Sequence, residues 1–305
     1  MFEGATTDTS LRSRLLIGWL WLTRRKRTFA DVGALYESIE ESQRPAKQEP
    51  PGTVRRRLRV QQRQINGRPC YTIRPLAPTS AKHVLYLHGG AYVHQIQRDH
   101  WKFITRLIGL TGCTVTVPLY PLAPSHHYDD TIAMVAATHR EVLAVAPAAD
   151  QVFMGDSAGG ALALGLAQQL RDAGRPQPKE IVLLSPWLDV TMTDPALPAL
   201  DARDPYLGVA GLAEAGRIYA GALDRRDPRV SPINGDPRDL GRLSLFIGTR
   251  DVLLSDARRF RALCEDAGVP LGYHEYDGMF HAWMLATIPE AERATRELAR
   301  IVTRV

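Results

Sequence analysis

The 305-residue sequence predicts an α/β protein with a mostly parallel central sheet, helices on both faces and a helical cap. Three observations predict it: short, continuously apolar runs alternate with longer runs of helical period, the composition is that of an ordinary globular chain, and one long interval interrupts the alternation. Hydrophobic residues at 45% and charged residues at 23% exclude a disordered chain, a collagen-like repeat and a membrane bundle. Strands apolar at every position are covered on both sides, as parallel strands are.

Residues 1–50 read as a polar helical segment ending in the breaker-rich "QEPPGT", which separates an N-terminal cap segment from a main body at 51–305. In "VRRRLRVQQRQI", Leu58 and Val60 alternate with Arg57, Arg59 and Arg63. That pattern predicts an edge strand with one packed face and one face solvated by arginines that discourage further strand addition. Strand and helix then alternate: "HVLYLHGG" and "WKFITRLIGL", "CTVTVPLY" and "TIAMVAATHREVLAV", "QVFMGD" and "ALALGLAQQLRDAG". "EIVLLSP" follows, then "LSLFIG" and "ARRFRALCEDAG", and finally "LGYHEYD" and "PEAERATRELARIV". More than fifty residues separate "EIVLLSP" from "LSLFIG", with a helical stretch near 209–222. A structureless loop of that length is rare in a compact domain. Residues 188–225 therefore read as an insertion that joins the N-terminal helices in a cap above the carboxyl ends of the strands, where open parallel sheets bind ligands.

The net charge of +5 is concentrated at one end, with 15 Lys+Arg against 7 Asp+Glu in residues 1–75 and 23 against 26 afterwards. No nucleic-acid motif accompanies the basic clusters at Arg24–Arg27 and Arg55–Arg63, so they read as solvated faces and no nucleic-acid partner is expected. Leu15 to Leu22 is far shorter than the ~20 apolar residues that span a bilayer. Its basic cluster follows it, the wrong side for a secretory signal. It reads as a helix packed on the body, with a peripheral membrane contact through residues 11–27 as the second reading. Cys70, Cys113 and Cys264 are scattered, without ligand spacing, which fits a reducing cytoplasm and neither a disulfide framework nor a zinc site. There is no HExxH and no phosphate-cradling loop, so no metal or cofactor is expected. A monomer and a homodimer are both left open.

Chemistry centres on "QVFMGDSAGGALALGLAQQL", where Ser157 stands between Gly155 and Gly159 as an apolar strand turns into a helix. Small neighbours allow a tight turn that exposes the serine, and the following helix aims its positive end at a developing anion. A serine hydroxyl needs a base, and the base needs an orienting group. Asp251 follows the strand "LSLFIG" and His281 follows "LGYHEYDGMF", giving the order Ser, Asp, His at spacings of 94 and 30. Asp256 falls at a helix start, where an acid is ordinary N-terminal stabilisation, and His274 and Glu275 fall inside a strand. Backbone donors for an oxyanion come from "HGGA", where glycines leave amide groups uncovered. Gly89 and Gly90 are assigned with Ala158, the residue after the serine.

These residues resemble the hormone-sensitive-lipase-like (bacterial family IV) carboxylesterases of the α/β-hydrolase superfamily. The resemblance runs from about residue 80 to the C-terminus and rests on "HGGAY", "GDSAGG", "DPRVSP", "GTRDVLLSDA" and "FHAW". It implies a serine carboxylic ester hydrolase acting through an acyl-enzyme on short-chain or hydrophobic small-molecule esters, with lactone or amide hydrolysis or a non-catalytic ligand-binding role as alternatives. Ser157, Asp251 and His281 form its triad, and Gly89, Gly90 and Ala158 its oxyanion hole. Tyr92, Trp187, Leu188, Tyr206, Phe280 and Trp283, beside the motifs or in the cap, are the candidate pocket lining. Ala91 replaces the third glycine usual in the family, and Pro121 and Ser125 replace a usual Arg and Glu. Asp156 marks the family without the sequence supplying its physical role.

Overall fold

The structure, a computed structural model, describes residues 9–44, 48–77, 79–143 and 146–304. Residues 1–8 and 45–47 of the expected cap segment, and Ala144 and Val145 of the expected "THREVLAV" helix, lie outside the described residues. The N-terminal segment forms α1 (Leu11–Leu22), α2 (Arg27–Ala30) and α3 (Val32–Ser42), followed by α4 (Gly52–Arg57). Ser10 caps α1 by accepting from the Ser13 amide at 3.2 Å, and Asp31 caps α3 by accepting from Ala34 at 2.7 Å. Arg57 therefore ends a helix rather than opening a strand.

Strands β1 (Arg59–Ile65) and β2 (Arg68–Arg74) form a hairpin closed by Asn66 and Gly67, both with positive φ. Then come β3 (His83–Leu87), α5 (Arg98–Thr111), β4 (Thr114–Pro118), α6 (Tyr128–Leu143), β5 (Gln151–Asp156), α7 (Ala158–Asp172) and β6 (Glu180–Leu184). The insertion carries α8 (Leu197–Asp201) and α9 (Val209–Ala220), after which β7 (Arg242–Gly248), α10 (Leu254–Asp266), β8 (Leu271–Tyr276) and α11 (Pro289–Val302) complete the chain.

Among the described residues, eight strands form one sheet in the order β1-β2-β4-β3-β5-β6-β7-β8. It is parallel from β4 to β8, and β2 runs antiparallel to both β1 and β4. The arginine-rich strand lies at the edge, as its alternation predicts, although Arg63 pairs with Glu141 at 2.7 Å instead of standing free. Central strands send successive side chains into two separate cores. Phe153 faces one and Val152 and Met154 the other, just as Leu85 and Leu87 oppose Val84 and Tyr86. Continuous apolar runs are the sequence consequence of this two-sided burial.

The insertion meets the N-terminal helices directly. A Cβ on Gly211 of α9 would sit 2.5 Å from the Phe29 carbonyl oxygen, so only glycine admits this approach. Lys26 pairs with Asp201 at 3.2 Å, Tyr36 donates to Glu214 at 2.6 Å, and the Gln43 amide reaches the Val93 and Ala123 carbonyls at 2.8 and 2.7 Å. The Lys26 and Tyr36 contacts join the N-terminal helices to the segment that carries α8 and α9, and Gln43 ties α3 to the loops after β3 and β4.

Candidate active site

Ser157 sits between β5 and α7 with φ 53° and ψ −122°, a conformation strained for a side chain of L configuration. Its amide donates to the Leu184 carbonyl at 2.8 Å, and its carbonyl accepts from the amides of Gly160 and Trp187, both at 3.0 Å. The glycines explain how the turn is possible. A Cβ on Gly159 would lie 1.9 Å from the Leu87 carbonyl oxygen, and one on Gly155 2.2 Å from the Gly159 carbonyl oxygen. The backbones of β3, β5 and α7 meet at van der Waals distance, and the only side chain left at the apex is serine.

His281 Nδ1 lies 2.9 Å from Asp251 Oδ2, both groups buried, and Asp251 Oδ1 accepts from the Leu253 amide at 3.0 Å. Burial opposes a charge on the imidazole, yet the Asp251 carboxylate, with smaller help from Asp204 and Asp156, outweighs it and raises the His281 pKa. Asp204, from the insertion, was not foreseen. Its Oδ1 accepts from the amides of Tyr206 and Leu207 at 2.7 and 2.9 Å, and its Oδ2 from the Val252 amide at 2.8 Å. It fastens the segment before α9 to the loop that carries Asp251. Burial first, and the Asp251 charge second, push its carboxyl upward.

The "HGGA" loop differs from expectation in one donor. The Gly89 amide donates to Asp156 Oδ1 at 3.0 Å, so it does not face the serine. His88 Nδ1 donates to the Gly89 carbonyl at 2.7 Å. In a trans peptide the following N–H points the opposite way, so this bond turns the Gly90 amide away from His88. Ala91, at φ 53°, continues the loop. Asp156, whose motif position alone had no physical reading, binds this loop to the elbow. Its Oδ1 also accepts from the Tyr86 hydroxyl at 2.6 Å, and its Oδ2 lies 3.2 Å from His100 Nε2. Burial alone would raise its pKa, but the His100 charge and these bonds bring it below the ordinary range.

A cavity of about 290 Å³ joins Ser157, His281, Gly89, Gly90 and Ala91. Two expected pocket residues line it, Tyr206 and Phe280. The other four do not: Tyr92 stacks on Tyr219 with centroids 3.6 Å apart, Trp187 donates to the Met192 sulfur, and Leu188 and Trp283 are wholly buried. Each follows a motif residue, but the chain turns its side chain into the interior. The apolar wall comes instead from Leu16, Trp19 and Leu20 of α1, from Phe29, and from Leu207, Leu212 and Leu285. Apolar helical positions in the first thirty residues carry no mark in sequence that distinguishes a pocket wall from core. The competitors stay outside: His274 stacks on Phe246 at 4.2 Å, and Glu275 pairs with Arg258. Among the described residues no group of three or more His, Cys, Asp or Glu could hold a metal ion.

Residues 84–285 match the family profile described as alpha/beta hydrolase fold. The chain is 32% identical over 225 residues to an acetyl-hydrolase of Streptomyces hygroscopicus, covering 73% of this chain and 75% of that one. It is 31% identical over 225 residues to an esterase of Acinetobacter venetianus, covering 72% and 74%. A crystal structure of an esterase from the bacterial hormone-sensitive lipase family superposes with a TM-score of 0.82 over 98% of this chain and 99% of that one, at 24% identity. A strained serine elbow, a buried His–Asp pair and an amide-lined loop thus occur in a sequence whose relatives hydrolyse esters, and the chain belongs to the alpha/beta hydrolase fold family as a carboxylic ester hydrolase of the esterase/lipase type.

Proposed function

We propose that Ser157 is the nucleophile, His281 its base and Asp251 the group that orients the base, in hydrolysis of short-chain carboxylic esters. The observation that carries this reading is the His281–Asp251 bond beside a serine on a strained elbow in the same cavity. His281 Nε2 takes the hydroxyl proton as Ser157 Oγ attacks the ester carbonyl, and Asp251 stabilises the imidazolium and fixes its tautomer. The proton passes to the leaving alcohol, and water then repeats the sequence on the acyl-enzyme and releases the acid. The oxyanion is assigned to the amides of Gly90, Ala91 and Ala158, because Gly89 is committed to Asp156. Ala158 opens α7, where an amide has no partner within the helix and the helix dipole adds to its field.

Residues 1–50 and 188–225 act together as the cap. A cavity of about 290 Å³ suits a small acyl group. The relative named acetyl-hydrolase points the same way, toward acetyl esters among the substrates. The test is hydrolysis of p-nitrophenyl acetate, butyrate, hexanoate, laurate and palmitate by the native protein and by Ser157→Ala. Turnover should be highest with the three shorter esters, and Ser157→Ala should lower it by about 10⁴-fold or more while the fold persists. Equal turnover by both proteins overturns the nucleophile, and a palmitate optimum overturns the short-chain reading.

A further inference from the structure

The helix that walls the cavity has two apolar faces. One is packed: Ser13, Ile17 and Leu20 are buried, Ile17 and Leu20 join the core containing α5 and α11, and Ser10 donates its amide to Glu290 of α11 at 2.6 Å. The other is open. Leu22 is 83% exposed, Leu11 and Leu15 65% each, Trp19 54% and Trp21 42%. Leu11, Leu15, Trp19 and Leu22 follow each other by four, four and three residues, so they form a single stripe along α1, and Gly18 falls within it. Arg12 and Arg14, both exposed, border the stripe, and Arg24, Arg25 and Arg27 stand exposed at its end. From Thr9 to Ala30 the chain has Arg12, Arg14, Arg24, Arg25, Lys26 and Arg27 and no acidic residue.

We propose that this face docks the enzyme on an anionic lipid surface, with the leucines and tryptophans seated among the acyl chains and the arginines among the headgroups. Apolar side chains bordered by exposed cations, with tryptophans at the boundary, match such a surface in polarity and in charge. A second copy of the chain is a poorer occupant. Two-fold pairing would set the same patch against itself and bring the five exposed arginines of each copy together. Beyond residue 75 acidic residues outnumber basic ones, 26 to 23, so the basic end alone is drawn toward negative headgroups. Leu16, Trp19 and Leu20 of the same helix line the cavity that holds Ser157 and His281. Docking through α1 therefore brings the cavity wall to the lipid surface, where an ester dissolved in the bilayer is supplied.

The experiment is co-sedimentation of the full chain with vesicles of phosphatidylcholine alone or mixed with phosphatidylglycerol. The native protein is compared with the triple variants Leu11→Ser, Leu15→Ser, Leu22→Ser and Arg12→Ser, Arg14→Ser, Arg24→Ser. None of these six side chains lines the cavity. Native protein should bind the phosphatidylglycerol vesicles, at least about 10-fold more weakly in high salt, and each variant should lose about 10-fold or more of that binding. Turnover of p-nitrophenyl acetate, a soluble ester, should stay at the native level in both variants, which separates docking from the assignment of the site. Binding that is absent, or that survives the leucine substitutions, overturns the proposal. So does a sedimentation-equilibrium dimer of the native protein that the leucine variant abolishes.

Discussion

At Asp156 one carboxylate meets the Tyr86 hydroxyl, the Gly89 amide and the His100 ring, all in the interior. Asp156→Ala leaves those donors unpaired, at about 1–3 kcal/mol for a buried group, and frees the loop that carries Gly90 and Ala91. The expected outcome is a lower melting temperature and a kcat reduced by up to about 10²-fold with KM nearly unchanged, since a displaced donor matters most when the oxyanion forms. An unaltered kcat would remove Asp156 from the support of the donor loop. His281 must be neutral to accept the serine proton, and its pKa is raised. On a soluble ester kcat/KM should therefore rise with pH and reach half its maximum above about 6.5, the ordinary histidine value. A midpoint below that value would contradict the Asp251 influence. The proposed serine and aspartate were legible in sequence because each follows a buried, mostly apolar strand, and the proposed histidine because it follows the last strand. The partners of Asp156 were not, since its donors lie 56 to 70 residues away and no spacing encodes them.

The β5 turn into α7 tolerates no added atom on one side. Gly159→Ala would drive a methyl group into the Leu87 carbonyl, and because the obstacle is backbone of a central strand it cannot rotate aside. Loss of about 3 kcal/mol or more is expected, visible as a reduced midpoint in urea unfolding, whereas Gly165→Ala, with nothing within 4 Å, should be neutral or stabilising. Similar effects from both substitutions would mean that the turn relaxes. The central strands were legible because burial on both faces makes successive positions apolar, as in "IVLL" of β6. The cavity wall was not: Trp187 and Trp283 are as apolar as any pocket residue, and only the direction of a loop distinguishes them from Phe280. Asp204 went unread for the same reason, since its three amide donors are two, three and 48 residues distant.

Across the whole molecule, buried titratable groups pull stability in opposite directions as pH changes. Burial lowers His83, His88 and His94 to about 4, so the unfolded chain binds those protons more tightly and the folded state gains as pH rises toward about 6.5. Burial, with Asp189 nearby, raises Asp256 to about 7. Its contribution is present in acid and is lost as pH climbs from the ordinary carboxylate range through 7. Asp256→Asn removes that loss, so its stability relative to the native protein should improve steadily from about pH 4 to about pH 8 in urea titrations; a constant difference would mean that Asp256 is ionised throughout. The bond between Ser10 and Glu290 spans 280 residues and anchors the helix that walls the cavity. During synthesis Ser10 is made 280 residues ahead of this partner. Helix α1 must wait for α11, a loop closure across 280 residues. Until it closes, the sheet and the serine turn can assemble, but the site lacks a wall, so hydrolysis should switch on later than folding of the core.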